Sequence, residues 1–123
     1  MRRLSRSPEN TPVVVSCCRT AIGRSDEDRG VFRGVRGDEL AASVVAEAVA
    51  RSRVSPECIE DVLVGVTQQR AELGGNVART IAMLAGLPFT AAASTTNRLC
   101  GSSQLVQKIF MLLLVLSICN AFQ

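Results

Sequence analysis

The chain has 123 residues, of which 47% are apolar and 20% are charged, and this is typical of one globular domain. Its net charge is only +3, and Trp and Tyr are absent, so the composition does not indicate a nucleic-acid-binding surface. The sequence also lacks histidine, which excludes a Ser-His-Asp triad, a Cys-His dyad and a His-ligated metal within this chain.

The five cysteines are odd in number and show no Cys-x-x-Cys spacing, so they do not indicate a disulfide framework or a zinc cluster. We therefore expect free thiols, no metal and a cytoplasmic location. The adjacent Cys17 and Cys18 are interpreted as packing residues, and Cys58 as a surface or core thiol. Residues 1–12 are predicted to be a flexible arm, because the apolar run at 12–15 is too short for a secretory signal.

Residues 13–104 have the pattern of an α/β domain. The β-branched run at 13–18 predicts a buried strand, and the Gly-punctuated stretch at 19–36 predicts a loop. An amphipathic helix is predicted from Asp38 to Arg53, with acidic residues at its start and basic residues at its end. Its apolar face comprises Ala41, Val44, Val45, Ala48 and Val49.

Two further helices are predicted around a second strand. A short one begins with Ser55 as its N-cap and Pro56 in its first position, and the strand follows at 61–66. Asn76 is predicted to cap the next helix, and Gly86 to end it in the left-handed conformation. The apolar face of that helix is predicted to comprise Val77, Ile81, Leu84 and Ala85.

A third strand is predicted at 91–96, and a helix begins near Cys100. The order β-α-β-α-β-α predicts right-handed crossovers and a mostly parallel sheet. Residues 105–123 form an apolar tail of different composition, in which the apolar run at 109–119 is too short to span a bilayer as a helix. A buried core helix is the competing interpretation, and any membrane association would depend on this tail.

Cys100 is the candidate nucleophile. A thiol at a helix N-terminus lies at the positive end of the helix dipole, which favours the thiolate form. Gly101 allows a reacting carbonyl to approach the backbone closely, and the neighbouring N–H groups could stabilise an oxyanion. From these residues alone, a buried structural cysteine is the alternative.

Three arginines are weaker candidates for functional roles. Arg98, two residues before Cys100, is expected either to orient the turn or to contact a phosphate. Arg19 and Arg24 are expected to fix loops by pairing with carboxylates. We assign no ligand to them.

Several short motifs occur in a fixed order along the chain. They are CRTAIGR at 18–24, DEL at 38–40, SPE at 55–57, DVLVG at 61–65, NVAR at 76–79 and TNRLCGSS at 96–103. In this order and spacing they resemble the N-terminal part of the thiolase family, from about residue 13 to residue 104. The last motif is similar to the family's nucleophile motif, and is closer to the degradative 3-ketoacyl-CoA branch than to the ketosynthases.

The resemblance implies a five-layer αβαβα fold built from two similar halves, usually dimeric or tetrameric, of which this chain would be an incomplete N-terminal half-domain. It implies acyl transfer between a 3-ketoacyl-CoA and coenzyme A through a thioester on Cys100. Acyl-CoA would be the substrate and coenzyme A the co-substrate, with no permanently bound cofactor.

Departures from the family pattern are equally informative. The family uses an activating histidine and a second catalytic cysteine, but this sequence has no histidine, and Cys119 lies too near Cys100 to be assigned the second role. The resemblance is lost after Gln104, so 105–123 is interpreted as a frameshift product, a mis-assigned gene end or an insertion. We therefore expect a truncated chain with little activity alone. The alternatives are a split acyltransferase completed by a partner chain, and a non-enzymatic protein anchored by its tail.

Overall fold

The computed structural model describes residues 13–24 and 26–113. Within them the chain forms three α-helices and a pair of strands. The elements are α1 Gly37–Ser52, β1 Asp61–Gly65, α2 Val77–Leu84, β2 Ala92–Thr96 and α3 Ser102–Leu113. Two short 3₁₀ turns, Pro56–Cys58 and Ala71–Leu73, precede β1 and α2 respectively.

The two strands pair in parallel, with Asp61 opposite Ala92 and Gly65 opposite Thr96. Helix α2 connects them, because parallel strands need a crossover rather than a hairpin. Alternate β1 residues face different layers: Val62 and Val64 join the core formed with α1 and α2, whereas Gly65 lies against α3. Strand β1 is therefore covered on both faces, and the predicted class, α/β with a parallel sheet, is confirmed.

The main core lies between α1, α2 and β1. Its largest fully buried members from α1 and α2 are Val45, Val77 and Ile81, each at most 1% exposed. The predicted apolar face of α1 is confirmed, since its buried apolar residues are Ala41, Ala42, Val44, Val45, Ala48 and Val49. This core holds the sheet and both helices in one unit.

The strand predicted at 13–18 is wrong. The structure has no strand there, and Val13, Val14 and Val15 are 64%, 70% and 51% exposed. A β-branched run favours extended backbone, but a strand also needs a neighbour to satisfy its N–H and C=O groups. Within the described residues no strand lies beside this run, and Cys18 contacts α1 by donating from its thiol to the Val44 carbonyl oxygen at 3.2 Å.

An ion pair stands at the start of α1. The Arg36 guanidinium donates to both carboxylate oxygens of the buried Asp38 at 3.1 and 2.8 Å, and this hydrogen bonding holds the pKa of the Asp38 carboxyl below its ordinary value. Asp38 also accepts from the Glu39 N–H at 3.0 Å. The sequence predicts the acidic first turn, but it does not predict that the carboxylate is buried.

The cap of α2 differs from the prediction. Asn76 makes no side-chain cap; its amide donates to the Ala93 carbonyl oxygen at 2.9 Å. The Thr95 hydroxyl instead accepts the Ala78 N–H at 3.0 Å and donates to Asn76 Oδ1 at 2.8 Å. Strand β2 therefore supplies the cap, and Ser55 likewise makes no side-chain cap on its short 3₁₀ turn.

The end of α2 confirms the role predicted for Gly86. Its φ is +74°, its N–H donates to Met83 O at 3.1 Å, and the N–H of Leu87 donates to Ala82 O at 3.1 Å. This pair of bonds is a Schellman motif. The apolar face predicted for α2 is partly wrong, because Leu84 is 54% exposed and Ala82 is buried.

Helix α3 continues across 104/105, where the composition changes. The predicted arm at 1–12 and the last part of the apolar tail, 114–123, lie outside the described residues. Among the helices that the structure describes, none is long and apolar enough to cross a membrane.

Candidate functional site

Cys100 lies at the edge of the sheet where both parallel strands end. Strand β2 ends at Thr96, α3 begins at Ser102, and the exposed Cys100 stands in the turn between them. Ligands of open α/β sheets bind outside the carboxyl ends of the strands. The expected position between a strand and a helix N-terminus is therefore what the structure shows, whereas the nucleophilic role stays a prediction.

Asn97 ties this turn to the residues that follow β1. Its side-chain amide donates to the Thr67 carbonyl oxygen at 3.1 Å, and its Oδ1 accepts the Leu99 N–H at 3.0 Å. Leu99, immediately before Cys100, has φ +49°, which is a left-handed conformation that side chains disfavour. The Asn97 side chain therefore helps to hold a strained residue beside the thiol.

Ser102 closes the same turn from the helix side. Its hydroxyl donates to the Leu99 carbonyl oxygen at 2.6 Å and accepts the Arg98 N–H at 2.8 Å, and the residue is only 3% exposed. The Gly101 N–H also donates to Arg98 O at 3.0 Å. The turn that carries Cys100 is therefore fixed by two side chains as well as by the backbone.

A cleft of about 1100 Å³ lies beside Cys100. It is lined by residues from the loop between 19 and 37, by 65–68 at the end of β1, and by the turn around Cys100. Its charged lining is mixed, with Arg19, Arg24, Arg33, Asp26, Glu27 and Glu72. No cluster of three or more metal-ligating side chains occurs in the described part of the chain.

The predicted arginine roles differ in outcome. Arg24 pairs with Asp26 at 3.3 Å, which confirms loop fixation by a carboxylate. The prediction is wrong for Arg19, whose guanidinium donates to the Thr20 carbonyl oxygen at 2.9 Å instead. Arg98 contributes its backbone to the turn, and it is not among the residues that line the cleft.

The other described cysteines lie away from the cleft lining. Cys17 is exposed, so the packing role predicted for it is wrong, whereas Cys18 packs on α1 and burial raises the pKa of its thiol. Cys58 is exposed, which decides between its two predicted alternatives in favour of a surface thiol. Among the described cysteines, Cys100 is therefore the one that is exposed and also lines the cleft.

The sequence analysis did not identify Asn97 and Ser102 as residues that hold the turn. A signal was present, because Asn, Ser and Thr side chains often bond to nearby backbone in turns. Asn97 and Ser102 flank Cys100 at short range, so their local bonds could have been expected. The bond from Asn97 to Thr67 joins residues 30 positions apart, and no local pattern indicates it.

The comparisons with known proteins agree with one another. The model of the family described as "Thiolase, N-terminal domain" matches residues 12–109. A 3-ketoacyl-CoA thiolase of Photobacterium profundum is 47% identical over 95 residues, which cover 76% of this chain and 24% of that protein. One from Shewanella denitrificans is 49% identical over 92 residues, covering 74% and 23%. The chain spans about a quarter of the length of these curated relatives.

Solved structures show the same similarity in three dimensions. An acetyl-CoA acetyltransferase from Syntrophomonas wolfei aligns with a TM-score of 0.69 and 32% identity, covering 81% of this chain and 24% of that one. The Acat5 thiolase from Ascaris suum, solved in complex with coenzyme A, aligns with a TM-score of 0.62 and 28% identity, covering 68% and 22%. The described α/β unit therefore corresponds to part of a larger thiolase-like domain.

Proposed function

Because this chain belongs to the thiolase family, whose N-terminal domain it matches, we propose that Cys100 is the nucleophile of acyl transfer between a 3-ketoacyl-CoA and coenzyme A. One observation carries the proposal: the thiol is exposed beside a large cleft, in a turn held by its own neighbours. The relatives at 47% and 49% identity are 3-ketoacyl-CoA thiolases, which supports this substrate class.

The reaction has two steps that share one thioester. The Cys100 thiolate attacks the 3-keto carbon, a C–S bond forms, and the bond between carbons 2 and 3 breaks. The electron pair stays on carbon 2, which takes a proton from an acid and leaves as acetyl-CoA. The thiol of incoming coenzyme A then gives its proton to a base, attacks the thioester carbonyl, and forms the new acyl-CoA as the C–S bond to Cys100 breaks and releases the thiolate. A thiolate suits both steps because it is a strong nucleophile and a good leaving group.

The residues around Cys100 support this chemistry in two ways. The N-terminus of α3 follows Cys100 directly and supplies a positive potential that favours a developing oxyanion. The cleft, at about 1100 Å³, has the volume of a small-molecule site and so has room for an acyl chain with part of its carrier. Together these features allow the thiol to meet a bulky thioester substrate.

The proton transfers need groups that this sequence does not supply. It contains no histidine, and the thiolase family uses a histidine and a second cysteine for these steps. A positioned acid or base contributes about 10²–10⁴-fold each, so we propose that the 123-residue chain has little turnover alone. Completion by a partner chain that carries these groups is the alternative to an inactive chain.

Acetylation of the isolated chain by acetyl-CoA tests the proposal. Transfer of the acetyl group to a thiol releases coenzyme A, and the adduct can be found by mass spectrometry of the tryptic peptide 99–108, in which Cys100 is the sole cysteine. We expect slow labelling of this peptide without steady-state turnover of acetoacetyl-CoA. Cys100→Ala should abolish the label, and Cys58→Ala, which removes another exposed thiol, should retain it.

Two results would each contradict one part of this account. Equal acetylation of Cys58 and Cys100 would show that Cys100 has no special reactivity toward an acyl-CoA. Steady-state turnover by the purified chain would leave the role of Cys100 intact, but it would show that the proton transfers need no group from outside this sequence.

A further inference from the structure

The first turn of α3 packs directly on the last residue of β1. A side-chain carbon on Gly65 would lie 2.8 Å from the carbonyl carbon of Ser102 and 3.0 Å from both Ser102 Cβ and Ser102 O. Non-bonded carbons are in favourable contact at about 3.5–4.0 Å, so these separations are repulsive. The obstructing atoms belong largely to backbone, which cannot rotate away. The absence of a side chain at Gly65 is therefore what allows α3 to sit this close to the sheet.

The need for glycine at this position comes from contact rather than from backbone conformation. Within the described residues, the glycines with positive φ are Gly75 and Gly86, and Gly65 is not among them. An alanine at 65 could adopt the same backbone angles without strain. The energetic cost of such a change would therefore fall on the interface between β1 and α3.

Ser102 is also the residue that holds the Cys100 turn from the helix side. Its hydroxyl bridges Leu99 O and the Arg98 N–H, and so contacts both residues that precede the thiol. Because the Ser102 hydroxyl bonds to the Leu99 carbonyl oxygen, a displacement of Ser102 also moves the left-handed Leu99. Strained residues of this kind persist only where their surroundings fix them firmly.

The other anchor of the turn lies on the chain that follows Gly65. Val66 donates its N–H to Thr96 O at 3.0 Å, and Thr67 O accepts from the Asn97 amide at 3.1 Å. The turn is therefore held between two supports, the residues after β1 and the first turn of α3. The contact of Gly65 with Ser102 sets the distance between those two supports.

We propose that Gly65 is a positioning residue for Cys100: its missing side chain seats Ser102 on β1, and Ser102 fixes the turn that presents the thiol to the cleft. The catalytic meaning of this arrangement rests on the proposed function, in which Cys100 is the nucleophile. The geometric claim can be measured without any acyl-CoA.

The test uses the full 123-residue chain and its Gly65→Ala variant. Iodoacetamide alkylation of Cys100, in peptide 99–108, is measured against alkylation of Cys58, in peptide 54–70, within the same sample. Cys58 is exposed and distant in sequence from Cys100, so it reports general changes in the reagent or in folding. Because its peptide contains position 65, each rate is measured as the alkylated fraction of that peptide within one variant. We expect Gly65→Ala to lower the Cys100-to-Cys58 rate ratio several-fold, and acetylation of Cys100 by acetyl-CoA by about 10²-fold, as a shift of about 1 Å does elsewhere.

Gly34→Ala is the matched control, because a Cβ at Gly34 meets nothing within 4 Å. It should leave the alkylation ratio unchanged. Circular dichroism shows whether the Gly65→Ala protein folds. If it folds and its Cys100-to-Cys58 rate ratio stays within about twofold of that of the parent chain, the proposal is overturned, because the expected displacement of the turn would change the ratio by more than this.

A second variant covers the case in which Gly65→Ala does not fold. Ser102→Ala removes the hydroxyl bridge without adding an atom, and it should lower the same ratio; an unchanged ratio would also overturn the proposal.

Alkylation and acetylation separate the positioning role of Gly65 from the proposed function of Cys100. If the parent chain is not acetylated but the alkylation ratio still falls in Gly65→Ala, the proposed function fails while the positioning role stands.

Discussion

Strand β2 is preceded and followed by turns that both contain a left-handed residue, and the two turns are built differently. Before the strand, Gly86 adopts φ +74° without a side chain to resist it, and two backbone hydrogen bonds close the turn. After the strand, Leu99 adopts φ +49° despite its side chain, and the side chains of Asn97 and Ser102 hold it there. The first turn is relaxed, and the second is constrained.

The difference follows from what each turn does. The turn at Gly86 only ends α2 and redirects the chain, so glycine and backbone bonds suffice. The turn at Leu99 precedes an exposed thiol beside a cleft, and under the proposed function the direction of that thiol has to be fixed. Strained backbone is common at functional sites because the surrounding contacts hold it in place.

Placing a side chain in the relaxed turn should have the largest effect on stability. Gly86→Ala forces a Cβ into the left-handed region, which costs about 1–2 kcal/mol in the free energy of unfolding. No atom lies within 4 Å of that Cβ, so the cost is purely conformational. Urea denaturation followed by circular dichroism measures it. Gly34→Ala, which has equal space but no positive φ, should lose nothing, and an equal loss in both variants would contradict this explanation.

Removing a support from the constrained turn should have a smaller effect on stability. Asn97→Ala deletes the bonds to Thr67 O and from the Leu99 N–H, and we expect a loss of about 1 kcal/mol because water partly replaces bonds at this exposed residue. Urea denaturation measures the loss. Asn97→Asp retains the acceptor for Leu99 and removes the donor to Thr67, so its free energy of unfolding should lie between those of the parent chain and of Asn97→Ala. A loss as large as that of Gly86→Ala would show that the turns do not differ as described.

Relieving the strain at Leu99 should have the smallest effect, with the opposite sign. Leu99→Gly removes a left-handed penalty of about 1–2 kcal/mol and adds about 0.5–1 kcal/mol of glycine entropy, so a gain of about 0.5 kcal/mol is expected. Little burial is lost, since Leu99 is 71% exposed. Thermal unfolding would detect the gain, and alkylation of Cys100 should become slower as the turn loosens. Destabilisation by about 1 kcal/mol or more would refute the idea that this turn is strained.

The turn at Gly86 was predictable from the sequence, whereas the turn at Leu99 was predictable only in its local bonds. A glycine after the last apolar helix residue, with a proline two positions later, is a local signal that needs no tertiary contact. The apolar periodicity of α1 is local in the same sense. The position of Cys100 between a strand and a helix could also be predicted, because both elements have their own patterns.

The features that were missed depend on contacts between distant residues. Residues 13–18 have strand composition, but whether they pair depends on a neighbouring strand. The cap on α2 comes from Thr95, 17 positions after the Ala78 N–H that it accepts, so Asn76 was the natural but wrong choice. The contact between Gly65 and Ser102 is equally non-local, and it decides where the thiol sits.

The parallel register joins residues that lie far apart in the sequence. Each β1 residue pairs with one about 30 positions later, and a loop of that length costs chain entropy before any strand hydrogen bond forms. Arg79 makes shorter contacts within this connection: its guanidinium donates to Phe89 O and Ala91 O, only 10 and 12 positions away, and stacks on the Phe89 ring at 4.7 Å. The Cys100 turn has local bonds from Asn97 and Ser102, but its bond to the residues after β1 is not local. That bond, from Asn97 to Thr67, requires both strands in register, so Cys100 reaches its final geometry only after the sheet has formed.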